Sequence, residues 1–421
     1  MGEYDWARER YAALGVDVEG ALRRLDGVAV SLHCWQGDDV GGFESAGKEP
    51  PGGELGAAMA VTGNYPGKAR NVDELRADME FALGLVPGKH RVNIHAMYGE
   101  FGGRKVDRDA IGPEHFAGWV DWCKARGLGL DFNATLFAHP RAASGWTLSH
   151  PDAGVRRFWI EHVERCRRIG AWMGERLGTP CMHNLWIPDG SKDVTVSRLA
   201  CRERLRRSLD EIYATTYPRE ELKDSVEGKL FGIGSESFVV GSHEFYLAWA
   251  VEHGVMVCLD MGHYHPTESL ADKVSALLPF MDELLVHVSR GVRWDSDHVV
   301  IVSDELRELC AEIVRADALG RVHLALDYFD ASINRVGAWV IGMRATLRAM
   351  LEALLEPVDR LRQYEAEGDG FRRLALLEEC KSLPHGAVWH QYCESKGVPG
   401  DERWLEQVKD YERRVQGKRG R

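Results

Sequence analysis

Eight short, apolar, largely β-branched segments recur along this chain, and the stretches between them carry apolar residues at helical spacing. The segments cover residues 28–32, 92–94, 128–132, 183–187, 225–229, 255–259, 284–288 and 322–326. Such alternation builds parallel βα units, because parallel neighbours need a long crossover and the crossover helix must bury one apolar face on the sheet. DELRELCAEIVRADALG, between the last two segments, shows the pattern: apolar positions three and four apart, then a glycine suited to a helix C-terminus. Eight units over about 300 residues fit a (β/α)8 TIM barrel better than a doubly wound sheet, which stops at about five to seven strands. No Gly-rich dinucleotide fingerprint opens the first unit. The expected organisation is an N-terminal helical segment over 1–26, the barrel over 27–357 and a C-terminal helical extension over 358–421. A Gly-rich insertion at residues 36–75 reads as a functional or oligomer-contacting loop, and the basic tail GKRGR as frayed.

Several function classes are disfavoured by composition. A net charge of −12 argues against nucleic acid or an anionic membrane as the main partner, since both require a basic face. MGEYDWARERYAALGVDVEG alternates charge with apolar residues and lacks the apolar core of a signal peptide, and no apolar run reaches spanning length. The nine cysteines are scattered, odd in number and never in a C-x-x-C pair. That is the usage of a reduced, cytoplasmic protein with neither a disulfide framework nor a thiolate zinc site.

In such barrels the chemistry forms at the carboxyl ends of the strands. NIHAMY places His95 there, NLWIPDG places Trp186 and Asp189, and VMVCLDMGHYHP ends in Asp260 and His263. The period of two along SVEGK puts Glu227 and Lys229 on one side. LLVHVSR carries His287 and leads into Asp295 and Asp297, and VHLALDYFD ends in Asp327. These last four strands and their loops supply five carboxylates, two imidazoles and a lysine. Acids gathered so closely cannot all stay ionised without cations, and two divalent ions plus Lys229 would balance five carboxylates. Oxygen donors favour Mn²⁺ or Mg²⁺, with the imidazoles leaving Zn²⁺ or Co²⁺ open.

Plainer roles compete for the same residues. Asp189 and Asp330 read as turn or helix-cap residues, and His33, His139 and His265 as hydrogen-bonded packing residues. Glu227 with Lys229 could be an ordinary ion pair, and Asp295-Ser296-Asp297 a solvated loop. Collection of the polar groups at one end of the strands favours a site over these readings.

SLHCWQGDD, TGNYPGKARN, LGLDFN, WIPDG, FGIGSES, CLDMGHYHPTE, HVSRGVRWDSDHVV and LDYFDASINRVGAWVIG together resemble the L-rhamnose isomerases, over residues 5–415 in the same order and spacing. The resemblance implies a barrel related to the metal-dependent xylose isomerases, a cytoplasmic homotetramer of rhamnose catabolism, and two divalent cations per subunit, Mn²⁺ first. It implies Glu227, Asp260, His287 and Asp327 around a structural cation and His263, Asp295 and Asp297 around a catalytic one. It further implies His95 and Trp186 against the sugar and Lys229 beside the substrate's O1. The least familiar part is PPGGELGAAMA at residues 50–60, so substrate preference among L-rhamnose, L-mannose, L-lyxose and D-allose stays open. So does the route, either a direct hydride shift or an enediol with Asp327 as base. A barrel metallohydrolase would gather similar ligands but give Glu227-x-Lys229 no task. A non-catalytic sugar-binding protein would not need His263, Asp295 and Asp297.

Overall fold

The computed structural model describes residues 2–44, 62–229, 236–292 and 297–419. Eight parallel strands close into a barrel: β1 (Val30–His33), β2 (Arg91–His95), β3 (Gly129–Asn133), β4 (Cys181–Leu185), β5 (Leu222–Glu227), β6 (Met256–Asp260), β7 (Leu284–Val288) and β8 (Val322–Leu326). Each pairs with its neighbours in sequence, and β1 pairs with β8 through Val30 with Leu324 and Ser31 with Ala325. In β1, β3, β4, β6 and β7 every residue is buried, as expected where one face of a strand meets the barrel interior and the other meets helices.

Seven of the eight strands fall within two residues of their expected bounds, but β5 starts three residues early and stops at Glu227. The charged pair Lys223-Asp224 looks like loop when read alone. In the fold, Asp224 binds Arg167 at 2.8 Å and His183 at 3.2 Å, while Lys223 meets Glu283 at 2.6 Å, so both charges are satisfied beside the strand. Lys229 therefore lies beyond the strand rather than on it. Gly228 makes the bend possible, since a Cβ there would sit 2.8 Å from His243 Nδ1 and 3.0 Å from its Cα.

The N-terminal segment forms two helices, Glu3–Ala12 and Val18–Leu25, where one was expected. Beyond the last barrel helix, Arg335–Leu354, come Val358–Ala366, Gly370–Cys380, His385–Ser395 and Arg403–Arg414. The two ends of the chain meet: Asp26 receives the Tyr392 hydroxyl at 3.0 Å and Lys396 at 2.7 Å. The Gly-rich stretch gives way to helix Val72–Leu83 at Asn71, whose side chain accepts the Glu74 N–H at 2.9 Å. Residues 50–60, expected to bear on oligomer contacts or substrate breadth, lie outside the described residues.

The tail is not frayed at Arg419. Its guanidinium, 4% exposed, forks onto Asp78 at 2.5 and 2.8 Å and donates to the Gly67 carbonyl at 3.1 Å. Asp78 is itself buried, so Arg419→Ala leaves a buried carboxylate with only the Tyr411 hydroxyl. The expected loss is about 2–4 kcal/mol in urea unfolding.

A second ion-pair cluster sits at the opposite end of the barrel from the polar strand ends. Glu283, just before β7, contacts Lys223 at 2.6 Å, His323 at 2.7 Å and Arg219 at 3.3 Å. Partial burial pushes its carboxyl up, but the hydrogen bonds and charges of His323 and Lys223 win and bring it down to about 2. A depressed carboxyl stabilises the fold above its unfolded value and loses that contribution as pH falls towards its folded one. Glu283→Gln should therefore cost about 1–2 kcal/mol near neutrality, allowing for solvent screening. The gap between the two proteins in thermal midpoint should close as the buffer is taken from about pH 5 towards pH 2.

Candidate metal centre and active-site mouth

Glu227, Asp260 and Asp327 stand at or just past the ends of β5, β6 and β8, and His287 is the penultimate residue of β7. Because the strands end at one rim, these four side chains converge: one ligand atom from each lies within 4.8 Å of the others. His287 Nδ1 is 3.5 Å from Glu227 Oε1, 3.6 Å from Asp260 Oδ2 and 3.3 Å from Asp327 Oδ2. Despite that proximity, neither imidazole nitrogen of His287 nor Asp260 Oδ2 makes a hydrogen bond among the described residues. Glu227, Asp260 and His287 are buried.

Buried polar atoms left unpaired are costly, and three in one cluster need a partner that is not a side chain. Complete burial pushes the Glu227 carboxyl up, but His287 and His263 outweigh it and hold the group well below its ordinary value. Burial likewise opposes protonation of His287, and the surrounding acids override it and raise it well above the usual imidazole range. The cluster thus demands positive charge at its centre. A divalent cation supplies that charge and lets His287 coordinate as a neutral imidazole, so the donors present fit such an ion. Cys258 also lies within reach of Glu227 and His287, so a sulfur stands beside the oxygen and nitrogen donors, its thiol pushed up by burial.

The remaining oxygens of these carboxylates are held by neutral groups. Asp260 Oδ1 accepts the Ser289 hydroxyl at 2.6 Å and the Gly262 N–H at 2.6 Å. Glu227 Oε2 accepts Asn184 Nδ2 at 2.5 Å, and Asp327 Oδ1 accepts the Trp35 indole N–H at 3.0 Å. His263 reaches the same cluster, with Nδ1 3.1 Å from Glu227 Oε1 and 3.3 Å from the Gly228 carbonyl.

Beside the acids runs a wall of rings. Trp35 meets His95 edge-on at 4.8 Å, His95 meets Phe137 at 5.4 Å, and Phe137 meets Trp186 at 6.2 Å. Lys229 Nζ sits 5.4 Å from the centre of the Trp186 ring, and the buried Trp186 indole N–H has no acceptor among the described residues. His95 is set by Thr135 Oγ1 at 3.2 Å and Asn133 Nδ2 at 3.4 Å. Burial first, then the charge of Arg108, pushes its imidazole down to about 3, so it is neutral at physiological pH. Flat apolar faces with a few unspent donors suit a sugar, whose C–H faces pack on rings while its hydroxyls seek hydrogen bonds.

Of the residues singled out in the sequence, Glu227, Asp260, His263, His287 and Asp327 come together here, with His95, Trp186 and Lys229 along the adjoining ring wall. Asp297 follows β7 in a left-handed conformation (φ 43°), and its carbonyl accepts the Phe329 N–H at 3.3 Å, tying it to the loop that begins at Asp327. Asp295 lies outside the described residues. The plainer roles hold at Asp330, His33 and His139, whereas Asp189 is a buried clamp on a distant loop rather than a turn or cap residue, and His265 is exposed rather than packed. Asp189 receives both the backbone and hydroxyl groups of Thr147 and of Ser149, and Asp330 receives those of Ser332. His33 binds the Tyr328 carbonyl, His139 pairs with Asp107, and His265 bonds Thr267. Sequence reasoning passed over Trp35, Phe137, Asn184, Cys258 and Ser289. The only signal was their strand position: Asn184 pairs in register with Ser225, two residues before Glu227, and Cys258 is two before Asp260.

A family model described as L-rhamnose isomerase matches residues 1–419 of the chain. L-Rhamnose isomerase of Rhodopirellula baltica is 58% identical over 416 residues, covering 99% of this chain and 96% of that protein. The protein of the same name from Salmonella typhimurium is 56% identical over 416 residues, covering 99% and 98%. Among solved structures, an L-ribulose 3-epimerase aligns at a TM-score of 0.46 and 12% identity over 80% of this chain and 97% of its own, too distant to carry an argument.

Proposed function

This chain belongs to the L-rhamnose isomerase family, and we infer from that membership and from the converging acids that it works as follows. It is an aldose–ketose isomerase that interconverts L-rhamnose and L-rhamnulose in a metal-dependent reaction. The observation that carries the site assignment is the convergence of Glu227, Asp260, His287 and Asp327 at the barrel mouth, with Asp260 Oδ2 and both His287 nitrogens left without a partner among the described residues. These four would hold one divalent cation. His263, Asp295 and Asp297 would hold a second, a set taken from the family resemblance. Mn²⁺ is the first choice for both, and the homotetramer and cytoplasmic residence come from the family in the same way.

Bound cations would hold and polarise the neighbouring oxygens O1 and O2 of the open-chain sugar. The protein's own groups divide the rest of the work. Lys229, held over Trp186, donates to O1 and stabilises negative charge there as the carbonyl is reorganised. His95 is neutral, so it orients a hydroxyl or the ring oxygen by hydrogen bonding rather than by delivering a proton. Trp35, Phe137 and Trp186 exclude water from one side of the sugar, and the Trp186 N–H is available to a hydroxyl. Hydrogen then passes from C2 to C1, either as a hydride or through an enediol with Asp327 as base, while the O2 proton is transferred to O1.

Stripping the protein with chelator should abolish turnover, and Mn²⁺ should restore ketose formation from L-rhamnose. L-Mannose, L-lyxose and D-allose run alongside define substrate breadth. If a folded, metal-loaded sample forms ketose from none of the four, the isomerase assignment is wrong. Asp297→Asn should lower kcat by about 100-fold or more with little loss of stability, since a cation ligand is removed from the rim rather than the core. Turnover in deuterated water separates the routes: substantial solvent deuterium at C1 of the ketose product contradicts a direct hydride shift.

A further inference from the structure

Glu227, Asp260 and Asp327 each show the same asymmetry. One oxygen is taken by a neutral donor, and the other faces the His287 imidazole at 3.5, 3.6 and 3.3 Å respectively. The donors are Asn184, Ser289 with the Gly262 N–H, and Trp35. They come from three separate parts of the barrel rim, yet each does the same thing to its carboxylate.

The donors are themselves fixed. Asn184 is buried and its Oδ1 accepts the Ser225 hydroxyl at 2.9 Å; since a carboxylate can only accept, its NH₂ must face Glu227. Trp35 sits in the short turn Cys34–Gln36, and Gln36 clamps Asp330 from both sides, giving Nε2 to its carbonyl at 2.8 Å and taking its N–H at 2.7 Å. The loop that carries Asp327 is thereby held against the turn that carries Trp35. Ser289 follows β7 directly, two residues from His287.

We propose that Trp35, Asn184 and Ser289 are positioning residues that force all three carboxylates to bind a cation through one oxygen only, and so select small octahedral ions against Ca²⁺. This rests on the cation site assigned above. Ca²⁺ takes about six to eight oxygens and commonly uses carboxylates through both. Engaging the second oxygen of Glu227, Asp260 or Asp327 would strip away the one hydrogen bond that the buried Asn184 amide N–H, Ser289 hydroxyl or Trp35 indole N–H donates among the described residues. Mn²⁺ and Mg²⁺ lose nothing by this restriction, because three single oxygens and one imidazole leave two of six positions for substrate or water.

The test is calorimetric titration of metal-free, full-length protein with Mn²⁺ and with Ca²⁺. Asp297→Asn is carried in every sample to remove a ligand of the second proposed site. The parent should prefer Mn²⁺ by about 100-fold or more, and Trp35→Phe, Asn184→Leu and Ser289→Ala should each narrow that preference by about 10-fold or more, mainly through tighter Ca²⁺ binding once a second carboxylate oxygen is released. Ser289→Thr, which keeps the hydroxyl, should restore the parent ratio. Ser289→Ala removes one small polar atom and is the variant to rely on if the two larger changes unfold the protein, as judged by circular dichroism. Folded variants with the parent's Mn²⁺/Ca²⁺ ratio would overturn the positioning role while leaving the cation site intact. A parent that binds neither ion would overturn the cation site itself.

Discussion

Two buried carboxylates and a third at the rim, gathered around one imidazole, are the constraint on which the rest of this molecule depends. Removing Glu227 and Asp260 from water while Asp327 stands beside them is tolerable only if positive charge occupies the space they enclose. That requirement explains why His287 sits at the centre, why His263 leans onto Glu227, and why the second oxygen of each acid is tied to an uncharged donor. A sugar entering the mouth meets a fixed array bounded by rings on one side and by acids on the other.

The fold and the chemistry were legible to different depths. Strand positions could be read because burial on both faces writes a continuous apolar run, as in LLVHV and VHLAL. The run failed as a guide at β5, where Lys223 and Asp224 are strand residues whose partners, Glu283, Arg167 and His183, lie elsewhere in the sequence. Arg419 misled for the same reason: a basic tail looks solvated until Asp78, 341 residues away, is seen beside it. In both cases a charge was read without its partner.

Residues with strong chemistry were visible from sequence because acids and imidazoles at strand ends are conspicuous. Their neutral attendants were not. Asn184, Ser289 and Trp35 are ordinary residue types, and only the three-dimensional register shows that each addresses one oxygen of one acid. Asp189 is the converse case. It stands in a motif as suggestive as any other, yet all its hydrogen-bonding capacity is spent on Thr147 and Ser149, which leaves it a structural clamp.

The contact between Trp35 and Asp327 spans 292 residues and crosses the seam where the first strand meets the last. A growing chain therefore cannot assemble the ion-binding group until the eighth βα unit has been made and the ring has shut. Partly built barrels offer at most three of the four donors. An ion that needs all four binds the finished ring far better than any open precursor, and by mass action stabilises only the closed form. With a cation in the site proposed above, metal supply and the yield of closed barrel would be thermodynamically linked.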